Sequence, residues 1–118
     1  MRTILAVDDS PAMLNMVRQT LEFGGFKVVT AGDGQQGLGE LAANEICLIV
    51  TDINMPVMDG ITFIREVRRA NDSVPILTLT TEFDDNIKQA GLEAGANGWI
   101  VKPFQPAQFL DIIKQVLN

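Results

Sequence analysis

Residues 3–11 read TILAVDDSP, and this stretch holds the pattern that decides the fold. Thr3–Val7 is a short, continuous aliphatic run, which is typical of a strand buried on both faces of a sheet. Two acidic residues follow it. Ser10 and Pro11 then form a helix start, with a serine that can cap the helix and a proline at its first position. The stretch therefore predicts a buried strand with an acidic end that leads directly into a helix.

The same succession of an apolar run and an amphipathic segment occurs five times along the chain. The later strands are predicted at Lys27–Ala31, 47–51, 75–80 and 99–101. The helices are predicted from Pro11 to the Gly24-Gly25 pair, over 33–43, and at Gly60–Ala70, 84–94 and Pro106–Leu117. Continuous apolar strands separated by helices form parallel sheets, and five units cannot close an eight-stranded barrel. We therefore predict an open, doubly wound α/β fold, (βα)5, with a five-stranded parallel sheet.

The composition bounds the size and the chemistry of the protein. With 118 residues we expect a single domain, 1–118, that carries no effector domain of its own. The chain has no His, which excludes a His general base, a His phosphocarrier and His-ligated zinc or haem. Its single Cys excludes an internal disulfide and any CxxC motif, so we expect a reducing, cytoplasmic location.

Charge and hydropathy exclude further classes of partner. The net charge is −6, whereas a nucleic-acid partner requires a basic surface, so we expect no nucleic-acid binding. The N-terminal apolar run has five residues before the two acids, which is too short for a signal peptide or a membrane span. We expect no membrane insertion.

Polar side chains stand where the predicted strands end. Asp8 and Asp9 follow the first strand, Asp52 follows the third, Thr80 ends the fourth and Lys102 follows the fifth. Parallel strands place these ends on one edge of the sheet, where open α/β sheets bind ligands. Polar helix starts would explain each residue alone, but not three carboxylates, a hydroxyl and one amine together.

This set of groups favours phosphoryl chemistry with Mg²⁺ as the cofactor. Three neighbouring carboxylates repel one another, and a single Lys cannot neutralise them, whereas a hard divalent cation with oxygen ligands can. Lys102 is suited to pair with a phosphoryl oxygen. In the absence of His and of an activated Ser, the available nucleophile is a carboxylate, which would form an aspartyl phosphate.

Four segments resemble a known family. LAVDDS at 5–10, VTDINMPVMDG at 50–60, LTLTTE at 77–82 and GWIVKPF at 98–104 are similar to the receiver domain of two-component response regulators. The resemblance covers the whole chain, and within the family it is strongest to the stand-alone chemotaxis regulators. It implies a flavodoxin-like sheet with the strand order 2-1-3-4-5. It also implies a signalling switch that accepts phosphate from a sensor histidine kinase and catalyses its own phosphorylation and dephosphorylation, without being a turnover enzyme.

The resemblance assigns a phosphoryl acceptor and metal ligands. Asp52 matches the acceptor. Asp9 and Asp52 match side-chain Mg²⁺ ligands, the backbone carbonyl of Asn54 matches a third ligand, and Asp8 matches the residue that holds metal-bound water. Lys102 matches the amine that pairs with the phosphoryl group, and its bond to the following proline is expected to be cis.

The resemblance also assigns residues to the response. Thr80 matches the hydroxyl that binds the phosphoryl group, and Trp99 stands where the family has an aromatic residue that turns inward with it. Thr81 matches a position that is usually small, and Asn54 and Glu82 match positions that influence hydrolysis of the phosphoryl group. Burial of Trp99 as an ordinary core residue remains an alternative to a switching role.

The implied output is a surface formed by the fourth helix, the fifth strand and the fifth helix, with Lys88, Leu92 and Trp99 among its residues. Its implied partner is a flagellar motor switch protein or another downstream protein, and a phosphatase is a further potential partner. A phosphorelay or cell-cycle receiver is an alternative that the sequence barely separates from a chemotaxis regulator.

Two other readings compete with this one. Gly32, Gly34 and Gly37 form a GxGxxG pattern with Asp52 20 residues beyond the first glycine, which matches a dinucleotide-binding fingerprint in spacing. That fingerprint belongs after the first strand, whereas these glycines follow the second.

A phosphatase of the haloacid-dehalogenase type also uses an Asp nucleophile with Mg²⁺. Its Asp-x-Asp motif follows the first strand, whereas Asp52 follows the third. The residue two positions after Asp52 is Asn54 and not the second Asp of that motif.

Overall fold

The computed structural model describes residues 2–70, 73–82 and 84–118, in which five strands alternate with five helices. The strands are β1 (Thr3–Val7), β2 (Lys27–Ala31), β3 (Leu48–Thr51), β4 (Ile76–Thr80) and β5 (Gly98–Val101). The helices are α1 (Pro11–Phe23), α2 (Gly34–Ala43), α3 (Gly60–Ala70), α4 (Asp85–Ala94) and α5 (Pro106–Leu117). Each predicted element is confirmed, and none of its ends differs by more than one residue.

The strands form one parallel sheet in the order β2-β1-β3-β4-β5, which confirms the predicted topology. At the C-terminal edge of the sheet Val7 pairs with both Ala31 and Thr51, and Thr80 pairs with Val101. The residues that follow these positions therefore emerge side by side, because parallel pairing in this register brings the strand ends to one edge.

The helices cover both faces of the sheet, as a doubly wound fold requires. One face packs against α1 and α5 through a core that includes Val17, Leu21, Phe109 and Ile113. The opposite face packs against α2, α3 and α4, and Phe63 of α3 is fully buried in this core. Since successive strand residues point to opposite faces, the strands contribute to both cores, and β3 and β4 are buried along their whole length.

Side-chain caps fix where three of the helices begin. The side chain of Ser10 accepts a hydrogen bond from Met13 N, that of Asp33 from Gln36 N, and that of Asp84 from Asn86 N and Ile87 N. Each cap satisfies amide groups that have no acceptor inside the helix. The predicted stop of α1 is a two-glycine turn in which Gly25 has φ +94°, a conformation that glycine adopts freely.

The glycines of the dinucleotide-type pattern have packing roles in this fold. A Cβ at Gly34 would lie 3.1 Å from the side chain of Met58, and one at Gly37 would lie 2.9 Å from Phe63 Cε1. Both follow β2, the edge strand that pairs with β1, and not β1 itself. The structure therefore accounts for Gly34 and Gly37 by close contact between α2 and the core.

Candidate functional site

Three carboxylates meet at the C-terminal edge of the sheet. Asp8 follows β1 and Asp52 follows β3, and they emerge together because Val7 and Thr51 are paired. With Asp9 they offer carboxylate oxygens that lie within 4.8 Å of one another. Asp8 and Asp52 are only 5% and 8% exposed, whereas Asp9 is exposed. The predicted convergence of these three residues is confirmed.

Lys102, the residue directly after β5, places its side-chain amine in the same cluster. Its Nζ lies 2.8 Å from Asp8 Oδ2 and 3.2 Å from Asp52 Oδ2. Its backbone N–H donates to the carbonyl of Thr80 at 2.8 Å, which continues the β4–β5 pairing to the site. The Lys102–Pro103 peptide bond is cis, as expected.

The two carboxylates hold Lys102 in its charged form. Burial by itself lowers the pKa of this amine, but the hydrogen bonds and charges of Asp8 and Asp52 together outweigh that effect. The pKa of Lys102 therefore lies above its ordinary value, and the side chain is a cation at neutral pH.

The remaining oxygens of the buried carboxylates accept backbone hydrogen bonds. Asp8 Oδ1 accepts from Ser10 N at 3.0 Å, and Asp52 Oδ1 accepts from Ile53 N at 2.7 Å. Each buried carboxylate therefore has one oxygen fixed by the main chain, while its other oxygen faces Lys102. This arrangement fixes the orientation of both groups.

The donor set fits Mg²⁺. Three carboxylates against one amine leave an excess of negative charge, and hard oxygen ligands are what Mg²⁺ prefers. Asp8, Asp9 and Asp52 would hold the ion, and Asn54 lies in the exposed loop just beyond β3, where its carbonyl is a candidate ligand. When bound, the ion would neutralise charge on a phosphoryl group.

The residues predicted to respond to phosphorylation are connected by hydrogen bonds. Thr80 is fully buried, and its Oγ1 accepts from Glu82 N at 3.1 Å. The carbonyl of Glu82 in turn accepts from Trp99 Nε1 at 3.0 Å. Thr81 is exposed beside them. Thr80, Glu82 and Trp99 thus form a chain of contacts that leads from the site to β5.

Comparison with known proteins identifies the family. Residues 4–114 match the response regulator receiver domain. The chain belongs to that family. A phospho-switch in a two-component system is the general role of such a domain.

Individual relatives of this receiver domain differ in the roles that their names indicate. It is 38% identical over 115 residues to the transcriptional regulatory protein PrrA of Mycobacterium tuberculosis, covering 98% of this chain and 49% of PrrA. A structure of chemotaxis protein CheY4 of Vibrio cholerae is 43% identical with a TM-score of 0.94, and 99% of each chain is covered. The receiver domain of sensor histidine kinase PA1611 of Pseudomonas aeruginosa is 29% identical with a TM-score of 0.91 over 98% of this chain and 97% of that one.

The last of these relatives bears on the metal. Its structure holds a magnesium ion coordinated in the active site cleft. The acidic cluster of the present receiver domain lies at the edge of the sheet that was predicted from the sequence to bind Mg²⁺.

The chain spans about half the length of the curated relatives that it matches first. In the parts of the chain that the structure describes, no helix has both the length and the apolar character needed to cross a membrane.

The predicted output residues differ in exposure. Lys88 is exposed, Leu92 is 39% exposed, and both lie on α4. Trp99 is only partly exposed and packs against the core on the α2–α3–α4 face. Val101, which the sequence analysis did not select, is 42% exposed on β5. The all-apolar sequence of β5 gave no signal that Val101 and not Trp99 is the more exposed residue.

Cys47 has no part in the site. It is partly buried against the core of the α1–α5 face, and loss of hydration there raises the pKa of its thiol. The charge of Arg2 opposes this shift without cancelling it. Because the thiolate is the reactive form, the raised pKa makes this thiol less reactive, and its contact with the core makes Cys47 a packing residue.

Gly60 contacts the backbone of the site, and this role was not predicted from the sequence. Its N–H donates to the carbonyl of Ile53 at 2.8 Å, and a Cβ on it would collide with the carbonyl oxygen of Asp52. The first turn of α3 therefore lies directly against the backbone that presents Asp52. The only signal in the sequence was its place at the end of the NMPVMDG segment.

Replacing Gly60 with Ala is expected to destabilise the fold and to displace Asp52. An ordinary Gly-to-Ala change in a helix is stabilising, but overpacking against rigid backbone costs about 1–3 kcal/mol. Urea denaturation of Gly60→Ala should show this loss in the free energy of unfolding. The matched control is Gly39→Ala in α2, where a Cβ has open space, and we expect it to be neutral or stabilising. Equal stability of the two variants would contradict the packing role of Gly60.

Proposed function

We propose that this receiver domain is a Mg²⁺-dependent switch that accepts a phosphoryl group on Asp52 from the phosphohistidine of a sensor kinase. The observation that carries the proposal is the position of Lys102, held by Asp8 and Asp52 in a cluster of three carboxylates. This arrangement combines a carboxylate nucleophile, a cation for the phosphoryl oxygens and a set of Mg²⁺ ligands.

The chemical step is a displacement at phosphorus. A carboxylate oxygen of Asp52 forms a bond to phosphorus while the bond from phosphorus to the donor's imidazole nitrogen breaks, and the imidazole leaves. Lys102 pairs with an oxygen of the transferred group, and the Thr80 hydroxyl donates a hydrogen bond to another. Since both residues are fixed on the ends of β4 and β5, they stabilise the charge of the group without a large rearrangement.

Loss of the phosphoryl group completes the cycle. The aspartyl phosphate is attacked by water, which restores the carboxylate and releases inorganic phosphate. Asn54 and Glu82 lie in the loops after β3 and β4, where they can influence the approach of that water, and Thr81 is exposed beside them. The protein acts in this cycle as a self-modifying switch and not as an enzyme that turns over an external substrate.

Position within the fold favours this function over a haloacid-dehalogenase-type phosphatase. The nucleophile of the proposal, Asp52, follows β3, the central strand of the sheet, and Lys102 reaches it from β5. The position two residues after Asp52 holds an exposed Asn, which cannot act as the general acid of such a phosphatase.

The acceptor role can be tested by intact mass. The chain incubated with Mg²⁺ and acetyl phosphate should gain one phosphate adduct, and Asp52→Asn should gain none. Asp33→Asn is the matched control, because Asn retains the cap of α2 while removing the same charge. An undiminished adduct on Asp52→Asn, or no adduct on the wild type, would contradict the assignment.

The output we propose is protein binding through α4, β5 and α5 in chemotaxis, with a flagellar motor switch protein as the partner. The support is the match to CheY4 over 99% of that chain, and a surface with exposed Lys88, Leu92 and Val101. Such a switch would work in the cytoplasm with a kinase of the chemotaxis type and, where one is present, a phosphatase.

A second candidate output is regulation of transcription, which the names of relatives such as PrrA support. A phosphorelay or cell-cycle receiver is a third. Pull-down with a motor switch peptide, with and without Mg²⁺ and beryllofluoride as a phosphate mimic, distinguishes the chemotaxis output from these two candidates. Capture that increases with the mimic supports the chemotaxis output, and equal or absent capture contradicts it.

A further inference from the structure

Trp99 occupies a closed position between the β4–α4 loop and helix α4. Its Nε1 donates to the carbonyl of Glu82 at 3.0 Å, and its ring packs against the core on the α2–α3–α4 face. The indole is therefore fixed at its polar edge by a hydrogen bond and along its ring by packing. A Phe at this position would lack the N–H that makes the first of these contacts.

Gly91 provides the space for this ring. A Cβ at Gly91 would lie 2.6 Å from Trp99 Cζ3 and 3.4 Å from Cε3, so a side chain there would displace the indole. Gly91 is buried in the middle of α4, where glycine is unfavourable for the helix. The close approach of the ring gives this glycine a physical reason.

Glu82 links the indole to the phosphoryl site through its main chain. Its N–H donates to Thr80 Oγ1 at 3.1 Å, and its carbonyl accepts from Trp99 Nε1. These contacts are present while Lys102 is paired with Asp8 and Asp52, the arrangement that we assign to the unphosphorylated chain. The indole therefore adopts its inward position before any phosphoryl group arrives.

We infer that Gly91 and the Glu82 carbonyl hold Trp99 inward in both states, and that the response to phosphorylation leaves the site through the main chain of Glu82. This inference rests on the proposed function for the phosphoryl step. When the Thr80 hydroxyl turns to the phosphoryl group, the Glu82 N–H loses its acceptor, so the β4–α4 loop is released at that amide. Residue 99 keeps its rotamer and acts as a fixed support for α4.

The single Trp makes the inference measurable by NMR, because the labelled chain gives one indole N–H signal. We expect that signal to exchange slowly with water, with less than about a twofold change when Mg²⁺ and beryllofluoride are added. The Glu82 amide should exchange about fivefold faster or more after the addition, since it loses a hydrogen bond. An indole whose exchange changes by more than about twofold, or a Glu82 amide whose exchange rises by less than about fivefold, would overturn the inference.

A variant pair tests the role of Gly91. In Gly91→Ala the added methyl group should displace the ring and raise indole exchange about tenfold before activation. Gly39→Ala, a helical glycine with open space at its Cβ, should leave the indole signal unchanged. Slow indole exchange in Gly91→Ala would overturn the assignment of Gly91, and the wild-type measurement stands without either variant.

The failure of this inference can be distinguished from failure of the proposed function. A phosphate adduct on Asp52 together with a mobile indole contradicts the inference alone. A protected indole in a chain that takes up no phosphate contradicts the proposed function alone.

Discussion

Replacing Lys102 with Met is expected to lower the free energy of unfolding by about 3 kcal/mol in the presence of a chelator, because it leaves two buried carboxylates without their cation. The Lys102 side chain is 10% exposed, and its partners Asp8 and Asp52 are 7% and 10% exposed, so solvent screens the loss poorly. Met retains most of the aliphatic length, which restricts the change to the charge.

Addition of Mg²⁺ should restore part of the stability of Lys102→Met. The ion supplies the positive charge that the variant lacks, and it no longer competes with the amine for Asp8 and Asp52. We therefore expect a larger Mg²⁺-dependent rise in the urea midpoint of the variant than of the wild type. Lys88→Met, on the exposed surface of α4, is the matched control and should change stability by less than about 0.5 kcal/mol. Equal midpoints for the two variants in chelator would refute the structural role of Lys102.

The fold and the acidic cluster were predictable because they depend on local patterns. Each strand is a short run dominated by apolar residues, and parallel strands bring their C-terminal ends to one edge. Once β1 and β3 are neighbours, the Val7–Thr51 pair places Asp8 beside Asp52 whatever the details of packing. The cap at Ser10 was predictable for the same reason, since a cap depends on residues only two or three positions away.

The position of Trp99 could not be predicted, because nothing local determines it. The sequence of β5, Gly-Trp-Ile-Val, is apolar at every position after the glycine, so alternation does not indicate which side chain is covered. The acceptor for its N–H is the main-chain carbonyl of Glu82, and a carbonyl has no signature in the sequence. The space at Gly91 depends on contact between α4 and β5, which only the assembled structure defines.

Replacing Asp9 with Asn is expected to remove about half or more of the stabilisation by Mg²⁺ while leaving the fold intact. Asp9 is exposed, so its replacement leaves no buried charge without a partner, whereas Asp8 and Asp52 are buried. It is also one of three carboxylates whose oxygens lie within 4.8 Å of one another, so the loss of its charge weakens the site for a divalent cation directly. Loss of groups that only support a metal's ligands costs 10–100-fold in affinity, so we expect at least about a tenfold loss for a ligand itself.

The measurement is the shift of the thermal midpoint with Mg²⁺ concentration, from which the dissociation constant follows by linkage. Wild type at about 100 times its dissociation constant gains roughly 2.7 kcal/mol, and Asp9→Asn at the same concentration gains at least about 1 kcal/mol less. Phosphate uptake from acetyl phosphate should fall in parallel at limiting Mg²⁺. Asp84→Asn is the matched control, because it removes the same charge while Asn can still accept the hydrogen bonds that begin α4. If Asp84→Asn lost as much Mg²⁺ affinity as Asp9→Asn, the response would reflect the overall negative charge of the chain, and Asp9 would not be a ligand.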